Sequence, residues 1–165
     1  MSYYIALPLL LLLAATEASV LPLFRVAGMQ PNIVLVLLVV WLMVRGANEA
    51  FVLIPAGGLL LGLVDAAPLG TALLALAPLA VLHELRGARL RESGVVLTLL
   101  FTVLATLAYH ITYLLVFTVQ GDNGSWIAAM TRVILPTAFL NALLVLPLYS
   151  IIWLASADLR RAAFA

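Results

Sequence analysis

The chain has 165 residues, of which 66% are hydrophobic and 9% are charged, and its mean hydropathy is +1.25. A water-soluble domain of this length cannot bury so much apolar surface, so the composition excludes a soluble protein and predicts one integral membrane domain over residues 1–165. The net charge of +1 argues against a nucleic-acid surface, and the lack of cysteine excludes disulfides and thiolate metal sites.

Apolar runs separated by short polar segments predict an all-α bundle of six membrane-spanning helices. The predicted helices cover about residues 3–21, 31–44, 50–64, 68–83, 94–119 and 126–156. The first run lacks a basic flank and a small-residue cleavage site, so we expect an uncleaved span. Pro31 suits the first position of helix two, residues 45–49 form a predicted loop, and Pro136 and Pro147 should kink helix six. The short helices three and four are either two spans, which we favour, or one re-entrant hairpin.

Arginine counting predicts the orientation of these spans. The loops on the side of both termini hold Arg45, Arg86, Arg89, Arg91, Arg160 and Arg161, and the opposite side holds Arg25 and Arg132. Both termini are therefore expected in the cytoplasm. Arg86, Arg89 and Arg91 form a basic patch that would contact anionic lipids or dock a cytoplasmic protein.

The junction between helices three and four combines small residues with an acid. Gly58 and Gly62 have the four-residue spacing that lets two helices approach closely. Pro68 and Gly70 predict the turn that follows. An acid at a membrane helix end needs a partner or a wet pocket, so Asp65 either caps helix four or acts as an anchor, for a partner or for Arg25 or Arg132 on the same side.

Other polar residues of the predicted spans each have a structural and a functional interpretation. Glu17 would pair with Arg25 or contact a cavity between helices. His110 is expected to make an interhelical hydrogen bond. Asn141 would satisfy carbonyls freed by a proline kink or join a cavity, and Asn32 would cap helix two or face a neighbour.

The sequence does not favour an enzyme. An intramembrane aspartyl protease needs two facing aspartates, and Asp65 is the one aspartate expected to be embedded in the membrane, near the outer end of helix three. The serines lie mostly at span ends or in loops, away from a serine–histidine dyad. The histidines and acids have no metal-ligand spacing. We therefore expect no catalytic residues, no cofactor and no metal.

The order and spacing of several motifs resemble the rod shape-determining protein MreD family. Pro31-Asn32 opens an apolar run that Arg45-Gly46 closes. The spacing Gly58-x3-Gly62-x2-Asp65 is followed by Pro68-Leu69-Gly70. The string at 135–152, with Asn141 and Pro147, is similar to the family's last span. The resemblance extends over essentially the whole chain.

This resemblance implies a non-enzymatic scaffold of the bacterial elongation machinery, in the cytoplasmic (inner) membrane, that supports peptidoglycan synthesis and rod shape. The implied partners are MreC, contacted through membrane helices, and RodA, a penicillin-binding transpeptidase and MreB in the same complex. The family's fold is similar to the substrate-binding subunits of energy-coupling-factor vitamin transporters, which implies an outer-side cavity that Glu17, Asp65 and Arg25 line or rim. The alternative function is such a transporter subunit, for which Ala14-x3-Ala18 would have the docking spacing.

Overall fold

The computed structural model describes residues 3–19, 30–65, 67–68, 70–81, 94–122 and 124–162, and every regular element in these ranges is helical. We number six helices, which confirms the all-α class and the number of helices predicted. They are α1 (Tyr3–Ser19), α2 (Ile33–Arg45), α3 (Ala47–Val64), α4 (Thr71–Val81, with one turn residue at Ala77), α5 (Val95–Val119) and α6, which runs from Trp126 to Ala162.

Several predicted helix boundaries differ from the structure. They are the α2–α3 junction, the start of α2, the start of α4 at Thr71 instead of about 68, and the end of α6 at Ala162 instead of about 156. The predicted loop at 45–49 is reduced to Gly46, whose φ of 96° turns the chain so that α3 begins at Ala47. Asn48 and Glu49 are therefore helical. Pro31 is not the first helical residue, because Asn32 takes the N-cap position and α2 begins one residue later.

Helix α2 is the centre of the bundle. Every side chain from residue 34 to residue 43 is buried, and α2 packs against α1, α3, α5 and α6. A helix that is apolar on all sides is stable where other helices surround it. Around this centre, α3 packs against α1 and α4, and α5 packs against α4 and α6.

The α3–α4 contact depends on one glycine. A Cβ atom placed on Gly58 would lie 2.7 Å from the Cα atom of Leu73, so the two backbones approach too closely for any side chain. Gly62 is also buried, but a Cβ there would have its nearest neighbours, Ala72 and Gly70, at 3.9 Å. Of the two glycines predicted as a pair, Gly58 makes the close approach.

Helix α6 contains a π-helical segment, Met130–Ile134, just before Pro136. The Leu135 N–H donates to the Met130 carbonyl, five residues back. Because a proline has no N–H to donate, carbonyls in the preceding turn lose their normal partner, and a π segment is one way in which a helix absorbs this change. Pro147 lies further along inside the same helix.

The outer surface of the bundle is strongly apolar. Large hydrophobic side chains such as Leu63, Val96, Ile127 and Phe139 are more than two-thirds exposed. Within the described ranges, two helices, Val95–Val119 and Trp126–Ser156, are long and apolar enough to cross a membrane, and the other apolar helices are shorter. This surface is consistent with association with a membrane.

Candidate functional site

A cavity of about 590 Å³ lies at the end of the bundle where α1 and α3 finish and α2 starts. We call it the site cavity. Its wall is completed by the second half of α5 and the first part of α6. Most of the wall is apolar, and its polar residues include Glu17, Gln30, Asp65, Tyr109, His110 and Tyr113.

Glu17 joins the end of α1 to the start of α2. Its Oε2 atom accepts a hydrogen bond of 3.0 Å from the Val34 N–H. The first N–H groups of a helix have no partner inside the helix, and the Leu35 N–H is satisfied separately by the Asn32 side chain at 2.7 Å. Glu17 therefore lies in an interhelical cavity as a helix-start acceptor. Its predicted partner Arg25 lies outside the described residues.

Asn141 ties three helices together at the floor of this end of the bundle. It is fully buried. Its Oδ1 atom accepts from the Asn32 N–H at 2.8 Å, and its Nδ2 group donates to the Thr106 hydroxyl at 3.0 Å. The Thr106 hydroxyl in turn donates to the Thr102 carbonyl. Asn141 is thus a link between α2, α5 and α6, and it lies beneath the lining of the site cavity.

Asp65 accepts a hydrogen bond from α5. The Tyr113 hydroxyl donates to its Oδ2 atom at 2.6 Å, and the Tyr109 hydroxyl donates to the Tyr113 oxygen at 3.1 Å. The prediction that Asp65 caps helix four is wrong, because the N-cap of α4 is Gly70 and no side chain caps it. Among the described residues, no ion pair joins Asp65 to Arg132. Arg25, the other predicted partner, lies outside them.

The turn after Asp65 follows the predicted residues. Gly70 has a φ of 94°, a conformation that favours glycine, and the Thr71 N–H donates to the Pro68 carbonyl at 3.0 Å. This turn reverses the chain between α3 and α4 and holds Asp65 beside the site cavity.

The predicted interhelical bond of His110 is replaced by a bond within its own helix. Its Nδ1 atom lies 2.9 Å from the Thr106 carbonyl, one turn earlier. The buried hydroxyls of Thr98, Thr102 and Thr106 point back to the preceding turn in the same way. Sequence reasoning missed this stripe, although the four-residue spacing from Thr98 to His110 was a readable signal.

Gln30 is a cavity residue that sequence reasoning also missed. Its Oε1 atom is buried and has no hydrogen-bond partner among the residues that the structure describes. A buried polar atom without a partner costs free energy, so this oxygen is a destabilising feature at this end of the bundle. The sequence offers no signal for it, because Gln30 stands alone before Pro31.

Ala14 and Ala18 face inward. Ala14 is 3% exposed, and both residues line the site cavity. The helix face that these two alanines form, whose spacing would suit docking of a transporter partner, is therefore turned toward the interior of this bundle.

A second polar cluster lies at the opposite end of the bundle. Glu49 accepts from the Trp41 indole N–H at 3.0 Å and from the Arg45 Nε–H at 3.3 Å, and the Arg45 guanidinium lies 5.7 Å from the Trp41 ring centre. The guanidinium also reaches the Ser156 hydroxyl at 3.4 Å. These contacts join α2, α3 and α6. The predicted basic patch of Arg86, Arg89 and Arg91 lies outside the described residues.

The two acids of the site cavity are used in hydrogen bonds within the bundle. Within the described residues, no group of three or more histidines, cysteines or acids could hold a metal ion. Glu17 and Asp65 contact a backbone N–H and a tyrosine hydroxyl respectively. Comparison of the chain with protein-family models, with curated proteins and with solved structures finds no match.

Proposed function

We propose that this chain is a membrane-embedded scaffold of the bacterial elongation machinery, of the MreD type, that binds MreC through its helices and catalyses no reaction. In this proposal the chain crosses the cytoplasmic membrane six times, with both termini in the cytoplasm and the site cavity on the outer side. RodA, the penicillin-binding transpeptidase and MreB belong to the same complex.

The observation that supports the proposal is that polar side chains of the helices form hydrogen bonds between helices. Asn141 joins α2 to α5, Glu17 joins α1 to α2, and Asp65 joins α3 to α5. Hydrogen bonds between membrane helices favour one rigid arrangement. A rigid bundle with a wide apolar outer surface suits the binding of a partner's membrane helix, and the motif resemblance supplies the identity of that partner.

The alternative is a substrate-binding subunit of a vitamin-type energy-coupling-factor transporter. The site cavity favours this alternative, since its volume of about 590 Å³ lies in the range of small-molecule pockets. The inward direction of Ala14 and Ala18 argues against it, because these alanines are not free to dock a transporter partner.

Co-purification separates the two functions. The tagged chain is co-expressed with MreC, extracted in a mild detergent and purified by affinity and size exclusion. The scaffold function predicts a complex that survives both steps. A chain that elutes without MreC and carries a vitamin detected by mass spectrometry would support the transporter function instead.

Asp65→Ala tests the function in cells that depend on this chain for rod shape. We expect normal membrane insertion but rounded cells, because loss of the acceptor for Tyr113 loosens the outer end of the bundle. The matched control is Asp122→Ala, at an exposed acid that accepts from the Gly124 N–H in the α5–α6 turn, which should leave the cells rod-shaped. Normal rods from both strains would show that Asp65 is a turn residue without a role in assembly.

A further inference from the structure

Hydrogen-bond acceptors lie in the wall of the site cavity. Glu17 and Asp65 each bring a carboxyl group to the wall. The Thr106 carbonyl can only accept a hydrogen bond, so the Nδ1 atom of His110 beside it carries the ring proton. In the neutral ring Nε2 then has no proton, and it is a further acceptor. A ligand that matches this wall is a hydrogen-bond donor.

The charge of the wall points the same way. Among the described residues that line the site cavity there are two acids and no arginine or lysine. A carboxyl group away from bulk water is costly in its charged form unless a cation pairs with it. A positively charged ligand would supply that cation, and a neutral donor would not.

The aromatic side chains of α5 add a surface that suits an organic cation. The Tyr109 and Tyr113 rings have centroids 4.8 Å apart, and the Phe117 ring follows 6.2 Å from that of Tyr113. All three rings line the site cavity. Aromatic faces attract ammonium groups through their quadrupole, and the neighbouring apolar wall, which includes Leu61 and Ile134, suits an apolar ligand body.

We infer that the site cavity binds an organic ammonium ion, with the ammonium against Glu17 and the aromatic side chains of α5 and the apolar body against the neighbouring apolar wall. The shared chemistry is a protonated amine joined to an apolar group. It could come from a free amine or from the ethanolamine headgroup of a membrane lipid. The inference goes beyond the proposed scaffold function and holds without it, since the experiment uses the purified full chain alone.

The experiment measures saturable binding to the full chain in a neutral detergent, by native mass spectrometry and by the shift in melting temperature. The free-amine arm compares phenethylamine with 2-phenylethanol, which has the same body and no charge. The lipid arm compares phosphatidylethanolamine with its N-acetylated form, which lacks the ammonium. We expect saturable binding of at least one of the two amines and at least tenfold weaker binding of its neutral counterpart. The arm that responds identifies the source.

Two variants locate the ammonium in the site cavity. Glu17→Gln keeps an oxygen that can accept from the Val34 N–H, so the fold is preserved while the charge is removed, and amine affinity should fall at least tenfold. Gln30→Leu removes a buried acceptor that has no partner among the described residues, so the melting temperature without ligand should be equal or higher. Amine affinity should stay within twofold of the unmodified chain, because this oxygen is not open to the site cavity.

The matched control is Glu49→Gln, the same substitution at the opposite end of the bundle, where amine affinity should stay within twofold of the unmodified chain. Arg25→Gln tests the competing pairing of Glu17, and under our inference it leaves amine affinity unchanged or raises it. The inference is overturned if neither amine binds saturably, if the neutral counterparts bind equally well, or if Glu17→Gln binds the amine as the unmodified chain does.

Discussion

Alanine substitutions at Gly58 and Gly62 should change stability in opposite directions. The two glycines lie four residues apart in α3, and both are buried. A methyl group at Gly58 would lie 2.7 Å from the Leu73 Cα atom, which belongs to the backbone and cannot rotate away. A methyl group at Gly62 would meet nothing nearer than 3.9 Å. The same chemical change is therefore a clash at one site and ordinary contact at the other.

The magnitude follows from two contributions. Replacing glycine by alanine inside a helix stabilises the fold by about 0.5–1 kcal/mol, and this gain applies to both sites. Forcing a methyl group into a packed contact costs about 1–3 kcal/mol, and this cost applies to Gly58 alone. The helix contribution cancels in the comparison, so the difference in stability between the two variants measures the clash.

The assay is thermal unfolding in detergent, followed by tryptophan fluorescence. For a chain of this size about 1 kcal/mol corresponds to roughly 2–4 °C in melting temperature, so Gly58→Ala should melt about 2–12 °C below Gly62→Ala. Adding Leu73→Ala to Gly58→Ala removes the Leu73 Cδ1 atom at 3.0 Å but leaves the Cα atom, so it should not restore stability. Equal melting temperatures for the two single variants, or full rescue by Leu73→Ala, would refute the reasoning.

Three further substitutions test the polar links and the turn by the same melting assay. Asn141→Leu is close in shape but leaves the Asn32 N–H without its acceptor, so stability should fall by about 1–3 kcal/mol, and an unchanged melting temperature would contradict the link. Gly70→Ala should lower stability by about 1–2 kcal/mol although nothing lies within 4 Å of the added Cβ atom, because the φ of Gly70 is 94°. Gly70→Asn should recover part of this loss, and an equal loss in both variants would contradict an origin in the backbone conformation. Tyr113→Phe should cost about 1 kcal/mol, and this loss should shrink when Asp65 is already Ala, which has no acceptor for the tyrosine hydroxyl. An equal loss in both backgrounds would assign it to other contacts of Tyr113, such as its bond from Tyr109.

The positions of the helices could be predicted from the sequence because apolar runs and turn residues are local signals. The start of α5 lies one residue from its expected position, and α6 starts where expected. Two of the boundary errors lie at Gly46 and Asn32, where the local backbone conformation or a side-chain cap decides which residue begins the helix. Gly46 can turn the chain by itself, so no loop is needed between α2 and α3. Asn32 caps α2 with its side chain, which leaves Pro31 outside the helix.

The candidate site could be predicted in its residue types and only partly in its contacts. The sequence marks Glu17, Asp65 and His110 as candidates because polar groups in apolar helices need partners, and all three line the site cavity. Their partners are a backbone N–H, a tyrosine hydroxyl and a carbonyl of the same helix. No pattern within one helix specifies such partners, since two of the three bonds join segments far apart in the chain.

The sequence by itself determined the all-helical class, the six helices of the described ranges and the few polar residues that an apolar bundle must accommodate. Only the tertiary structure decided that α2 is central, that Gly58 and not Gly62 makes the close contact, and that the Gln30 Oε1 atom is buried without a partner among the described residues. The physical reason is that these helices are apolar both on their exposed faces and on their core faces. The hydrophobic pattern therefore marks where a helix lies in the chain but does not mark its inner face, and packing between helices has to supply that information.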